Sequence, residues 1–316
     1  MILNMKEQKF IRCPLSYLVI LALILCGCVL SPKERTSSQP TLVSVHSTEE
    51  LIQLLDKYDL WHLEDKNSLV PVVIKNLPPD FRKIKDKTLR RNIFIHTILP
   101  SILVALAEVK KERIHLIRIL NKIDLPQSID LERLRKDKRL SLAEINFLTN
   151  LTQKYRTTNT TELLKRVNTV PLSLILAQAA IESKWGTSRF ALEGNNLYGI
   201  WTYKRDGIVP LHRDPNAHHK VTKYSSILEA TRDYLYNLNV GWAYAQFREA
   251  RLKTNDALKL AQYLVRYSQM GFLYSVKVKK IITKYHLKQY DIYAKQIDPY
   301  FKHLNLCAFT HLGDTD

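Results

Sequence analysis

Apolar residues recur at helical spacing along most of this chain, in blocks separated by short polar breaks. The segment 47–58, STEELIQLLDKY, opens with a Ser-x-x-Glu capping box, which predicts a helix starting at Ser47. LVPVVIKNLP (69–78) is β-branched and bounded by prolines, so it predicts a short strand. Residues 86–121 carry a long helical pattern with a break or kink expected at Pro100. A second capping box, Ser141 with Glu144, opens SLAEINFLTNLTQKY (141–155). The charge run DLERLRKDKRL (130–140) reads as a solvated helix face. Residues 47–165 thus form a mostly helical block without a constellation that carries chemistry. Its histidines, His62, His96 and His115, are scattered among neighbours that do not suggest metal ligands.

The pattern changes after Pro171, a residue favoured in the first turn of a helix. From Leu172 to Ile181 the residues are apolar on nearly every side, interrupted only by Ser173 and Gln178, which predicts a central buried helix. One carboxylate, Glu182, ends that run, and Trp185 and Gly186 follow. A carboxyl group there leaves a low-dielectric core beside an indole ring and at the negative end of a helix dipole. All of this disfavours its charge and raises its pKa. An acid still protonated near neutral pH is what glycosidic cleavage needs at the leaving oxygen. Gly194-Asn195-Asn196 predicts a tight turn, and LYGIW (197–201) a returning strand whose rings, Tyr198 and Trp201, suit sugar faces or a core. KYSSILEATRDYLYNLN (223–239) and ALKLAQYLVRYS (257–268) predict packing helices.

Composition narrows the setting. The 316-residue chain has a formal net charge of +18, so it suits an anionic polymer or surface. Lys6, Lys9 and Arg12 precede an apolar stretch, Leu15–Leu25, too short for comfortable membrane spanning. The ending Leu25-Cys26-Gly27-Cys28 resembles a bacterial lipobox, with Cys28 as the lipidated residue. By resemblance to sorting rules, Val29 after it favours the outer membrane. The expected organisation is a signal peptide over 1–27, a Ser/Thr/Pro-rich tether over 28–46, the helical block over 47–165, a catalytic domain over 166–292 and a tail over 293–316. An exported, lipid-anchored protein on the periplasmic face of the envelope does not meet nucleic acid, which leaves peptidoglycan and anionic lipid as partners. Its mature form would retain Cys28 and Cys307, one lipidated and the other unpartnered, so its stability rests on packing.

AQAAIESKWGTSRFALEGNNLYGIW (177–201) resembles the motif of the bacterial glucosaminidases, glycoside hydrolase family 73, most closely the Bax-type branch. The resemblance spans roughly residues 165–290. It implies a mainly α, lysozyme-like fold with a small β-lobe, hydrolysis of the β-1,4 bond after N-acetylglucosamine in peptidoglycan, and Glu182 as general acid. No cofactor and no metal are implied; His212, His218 and His219 fit no standard zinc spacing. In this family a second acid lies in the β-lobe. That window here holds only Asp206 and Asp214, of which Asp214 is better placed, while Lys220 stands near where relatives carry an acid. RYSQMGFLY (266–274) resembles part of the family's C-terminal tyrosine region, with Ser268 and Gly271 departing from it. That leaves Asp214, Asp206, Tyr267 or the substrate's own N-acetyl group as the second participant. The expected substrate contacts are Asn195, Asn196, Tyr198, Trp201 and Tyr274. A lytic transglycosylase or a non-catalytic wall-binding lipoprotein are the alternatives.

Overall fold

The computed structural model describes residues 41–63, 72–211 and 213–295. The expected signal peptide, the lipidation candidate Cys28, His212 and the tail beyond 295 lie outside the described residues. Order starts before Ser47, inside the expected tether. Strand β1 (Thr41–Val43) pairs in parallel with β2 (Val72–Ile74), Thr41 opposite Val72. A parallel pair needs a crossover, and α1 (Thr48–Lys57) lies within it. Ser47 caps α1 by accepting from the Glu50 amide, whereas the Glu50 carboxylate turns to the amide of His46.

Helix α2 (Lys87–Lys122) is the longest element, about 54 Å at about 1.5 Å per residue. Asp86 caps it, accepting from the Thr88 and Leu89 amides. Of the break or kink expected at Pro100, the break does not occur, since the helix is continuous through it. An interior proline costs about 3 kcal/mol. Here nearly every residue from Ile93 to Val109 is buried on one side or another, and that burial holds the helix together across the missing donor. Its central stretch is apolar enough to cross a membrane, yet 89% of that window is buried inside the protein, as in a core helix.

Helices α3 (Leu131–Leu134), α4 (Leu142–Lys154) and α5 (Thr160–Arg166) close a smaller core on the last turns of α2, around Leu116, Leu120, Leu148 and Leu163. The capping box of Ser141 and Glu144 forms as expected at the start of α4. Then come α6 (Leu172–Glu182) and α7 (Arg189–Gly194). A three-stranded antiparallel sheet follows, built from β3 (Trp201–Thr202), β4 (Gly207–Ile208) and β5 (Lys220–Thr222) in the order β3-β5-β4. Helices α8 (Ile227–Val240), α9 (Ala245–Lys253), α10 (Ala257–Ala261), α11 (Phe272–Lys284) and α12 (Asp291–Lys295) complete the described chain. The mainly helical class with a small β-lobe is what the sequence predicts.

The larger core mixes both halves of the chain: Leu51, Phe81, Phe94 and Ile98 pack with Leu174, Tyr234, Phe247 and Val278. A buried ion pair reinforces this. Arg232 on α8 grips the Glu108 carboxylate on α2 with two donors, Nε at 2.9 Å and Nη2 at 2.5 Å. Residues from both 47–165 and 166–292 therefore build the larger core.

Candidate active site

Helix α6 delivers Glu182 to its position. Pro171 sits at its N-terminus, where the Asp291 carboxylate of α12 accepts from the Ser173 amide and hydroxyl, both at 2.8 Å. Leu172 to Ala180 are all buried, so the helix is fixed on every side before it surfaces at Glu182. The chain then turns sharply. Lys184, Trp185 and Gly186 have φ of 52°, 58° and 78°, three successive left-handed residues. Ser183 organises this turn, its hydroxyl donating to the Ala179 carbonyl at 2.6 Å and accepting from the Gly186 amide at 2.8 Å. A Cβ on Gly186 would lie 2.7 Å from side-chain atoms of Leu77 and Phe94, so no larger residue fits there.

The Trp185 ring belongs to the core packing instead of the cleft wall. It packs edge-on against Phe94 and Tyr285, 5.9 and 4.9 Å between centroids, and is not among the cleft-lining residues. The expected indole beside the carboxyl is therefore replaced by other groups. Gly199, at φ 68°, brings its backbone so close that a Cβ would stand 3.0 Å from Glu182 Oε2. Behind the acid runs a buried polar chain: the Tyr234 hydroxyl donates to Gln178 Oε1 at 2.6 Å, and Gln178 Nε2 donates to the Tyr274 hydroxyl at 3.1 Å. Because Tyr274 accepts from Gln178, its own proton is left for Glu182. Burial pushes the Glu182 carboxyl above the usual range, while the Tyr274 hydrogen bond and the Lys277 charge pull it back.

Glu182 opens into a cleft of about 1170 Å³, walled by β3, the end of α8, the turn after it and the segment 266–269. Trp201 lines it, half exposed and stacked on His219 at 4.3 Å. Tyr198 borders it but is almost wholly buried, its ring stacked on Tyr234 and its hydroxyl paired with Thr231. Tyr267 also borders it and donates its hydroxyl proton to the Tyr198 carbonyl at 2.7 Å.

Three expected substrate contacts have structural roles instead. Asn195 is the left-handed cap of α7, and its amide donates to the Tyr224 carbonyl. Asn196 is buried and binds Ile200 and Thr222, fastening the β-lobe to the turn. Tyr274 is buried behind Glu182, where it can orient the acid but not touch a sugar. These side chains are polar because the turn and the acid need partners.

Asp214 is exposed and outside the cleft lining, its carboxylate accepting from the Asn216 amide in its own turn. Asp206 is likewise exposed and binds the Gly207 amide. The other carboxylate on the cleft wall is Asp233, beyond the window in which an acid was expected. It is held by Arg205 at 2.9 Å and by the Tyr224 hydroxyl. Sequence reasoning also passed over Gln178, Gly199 and Trp242. The signals were present as a lone polar residue in an apolar helix, a glycine between aromatics and an unpatterned tryptophan. No grouping of His, Cys, Asp or Glu suited to a metal ion occurs among the described residues.

A carboxyl raised by burial and opening into a cleft walled by rings and guanidinium groups is an arrangement suited to proton donation beside a sugar. Residues 158–287 match the family model Glucosaminidase, described as mannosyl-glycoprotein endo-beta-N-acetylglucosaminidase. It is similar to Protein bax of Escherichia coli (strain K12), 33% identical over 182 residues, covering 57% of this chain and 61% of that protein. Similarity extends to Exo-glucosaminidase LytG of Bacillus subtilis (strain 168), 26% identical over 159 residues, 46% of this chain and 53% of that one. The matches thus span about half to three fifths of these curated relatives. The crystal structure of the catalytic domain of the autolysin Auto from Listeria monocytogenes aligns at a TM-score of 0.31 and 22% identity, over 51% of this chain and 98% of that one. That likeness is too distant to bear on the site.

Proposed function

We propose that the protein is a peptidoglycan hydrolase that cuts glycan strands at the β-1,4 bond after N-acetylglucosamine. The observation that carries this is the Glu182 carboxyl at the buried end of α6, raised by burial and open to the cleft. Glu182 donates its proton to the glycosidic oxygen as the C1–O bond breaks. Asp233 is engaged by Arg205 and Tyr224, and neither Asp214 nor Asp206 lines the cleft, so the substrate's N-acetyl oxygen is the nucleophile the site favours. It closes on C1, and water later opens the ring with Glu182 taking back a proton. Tyr267 shapes the wall through its bond to the Tyr198 carbonyl.

The same shortage of a free second carboxylate favours one other reading, a lytic transglycosylase, in which the sugar's own hydroxyl replaces water. Digestion of purified sacculi with wild type and Glu182→Gln separates the cases. Reducing N-acetylglucosamine ends, lost in the variant, are expected. Anhydromuramic ends would overturn hydrolysis, and absence of turnover in both forms with binding retained would leave a wall-binding protein. The LCGC stretch supports attachment to the outer membrane through Cys28. Metabolic labelling with a fatty acid should mark the wild type and not Cys28→Ser; equal labelling would rule that anchor out.

A further inference from the structure

Four arginines line the cleft, Arg156, Arg166, Arg205 and Arg266, against two carboxylates, Glu182 and Asp233. Two of them are already paired. Arg166 binds Glu162 at 2.7 Å, and Arg205 binds Asp233. No ion pair is found for Arg156 or Arg266 among the described residues, and both are exposed. Each guanidinium lies over a ring that also lines the cleft: Arg156 over Tyr236 at 6.0 Å, and Arg266 over Trp242 at 5.1 Å. The Trp242 indole is 78% exposed.

Arg156 is also mounted firmly. It has a left-handed backbone, φ 53°, and Arg166 Nη1 holds the carbonyls of Tyr155 and Arg156 at 2.7 and 3.1 Å. A strained non-glycine residue clamped by a neighbouring guanidinium is costly to keep on a cleft edge. Four arginines against two carboxylates leave the excess charge on these walls positive. A neutral sugar polymer needs rings to stack on but offers nothing to free guanidinium groups, which pair with carboxylates through two parallel donors.

We infer that Arg156 with Tyr236 and Arg266 with Trp242 are two binding stations for carboxylates carried on the stems of a glycan, so that the cleft selects an anionic, peptide-bearing strand over a neutral N-acetylglucosamine polymer. The inference rests on the proposed function for the nature of the polymer, and its test is separable from it. Sacculi are compared with the same sacculi after carbodiimide conversion of carboxyls to amides, and chitooligosaccharides serve as the neutral probe. Binding is measured by co-sedimentation on the Glu182→Gln chain, and turnover on wild type.

Amidation should weaken binding about tenfold, the scale of one or two charge-assisted pairs. Adding Arg156→Gln and Arg266→Gln should weaken binding to native sacculi by a similar factor. The same pair of changes should leave amidated sacculi and chitooligosaccharides unaffected, with Arg156→Lys and Arg266→Lys restoring part of the loss. Equal binding to native and amidated sacculi would overturn the inference. So would an equal loss on both forms in the double variant, or no loss at all, since the latter assigns the charge effect to the cationic surface at large. If wild type cleaves neither form while binding still discriminates through the two arginines, the hydrolase reading fails and the stations stand.

Discussion

Glu182 owes its chemistry to what surrounds one carboxyl. Its folded pKa is raised above the unfolded value, so between those two pH values the folded state holds more protons than the unfolded one. Stability then falls as pH rises through that window, so above the unfolded value the buried carboxyl costs the fold stability. Glu182→Gln should therefore unfold at a higher temperature than wild type at pH 7 and at about the same temperature below about pH 4. Thermal scans at both values check this. Turnover should fall on the alkaline side as the acid loses its proton.

Gln178 supplies a second expectation at this scale. By occupying the Tyr274 oxygen it directs the Tyr274 proton to Glu182, which favours the carboxylate. In Gln178→Leu that direction is lost, so the alkaline limb of the kcat/KM profile should move to higher pH, with a stability loss of about 1–3 kcal/mol from unpaired hydroxyls. An unshifted profile with lower stability would show Gln178 to be structural alone. Glu182 was legible in the sequence because a single charge ended an apolar run. Gln178 looked like an interruption because its partners, Tyr234 and Tyr274, lie 56 and 96 residues away.

Elements were easier to anticipate where the signal was local. The start of α4 followed from its capping box, and the α6 start from Pro171. The uninterrupted α2 was not, because a proline's local cost was outweighed by burial from sequence-distant partners. Nor was the cap of α6 by Asp291, 118 residues from Ser173. Asp291→Ala should cost about 1 kcal/mol, the usual worth of an N-cap, read as a lowered Tm. Activity should fall little at temperatures where the fold remains intact. The turn residues Asn195 and Asn196 show the opposite error. Their place in the turn was foreseen, and a sugar-binding role was assigned to side chains that the turn itself consumes.

The whole molecule does not divide at the edge of the family match. Residues 158–287 exclude α2, whose apolar middle fills the centre of the larger core and whose Glu108 partners Arg232. Expressed alone, 158–287 should be aggregated or molten by near-ultraviolet circular dichroism, whereas 41–295 should unfold in one cooperative transition. Glu108→Ala leaves Arg232 with only Glu229 and should cost about 3 kcal/mol, the lower end for a broken buried pair. No periodicity within either half reveals this union, because each half reads as a self-sufficient set of amphipathic helices.

Leu77, Phe81 and Phe94 press on the left-handed turn at Gly186, leaving no space for a side chain. The consequence concerns inheritance. Two stretches of chain about a hundred residues apart cannot drift independently, since a wider Phe94 neighbourhood would loosen the turn and a larger residue at 186 would split the core. Across descendants of this gene, Trp-Gly after the glutamate and the apolar trio should be retained or lost together, and recombination between position 94 and position 186 should be tolerated only among close kin.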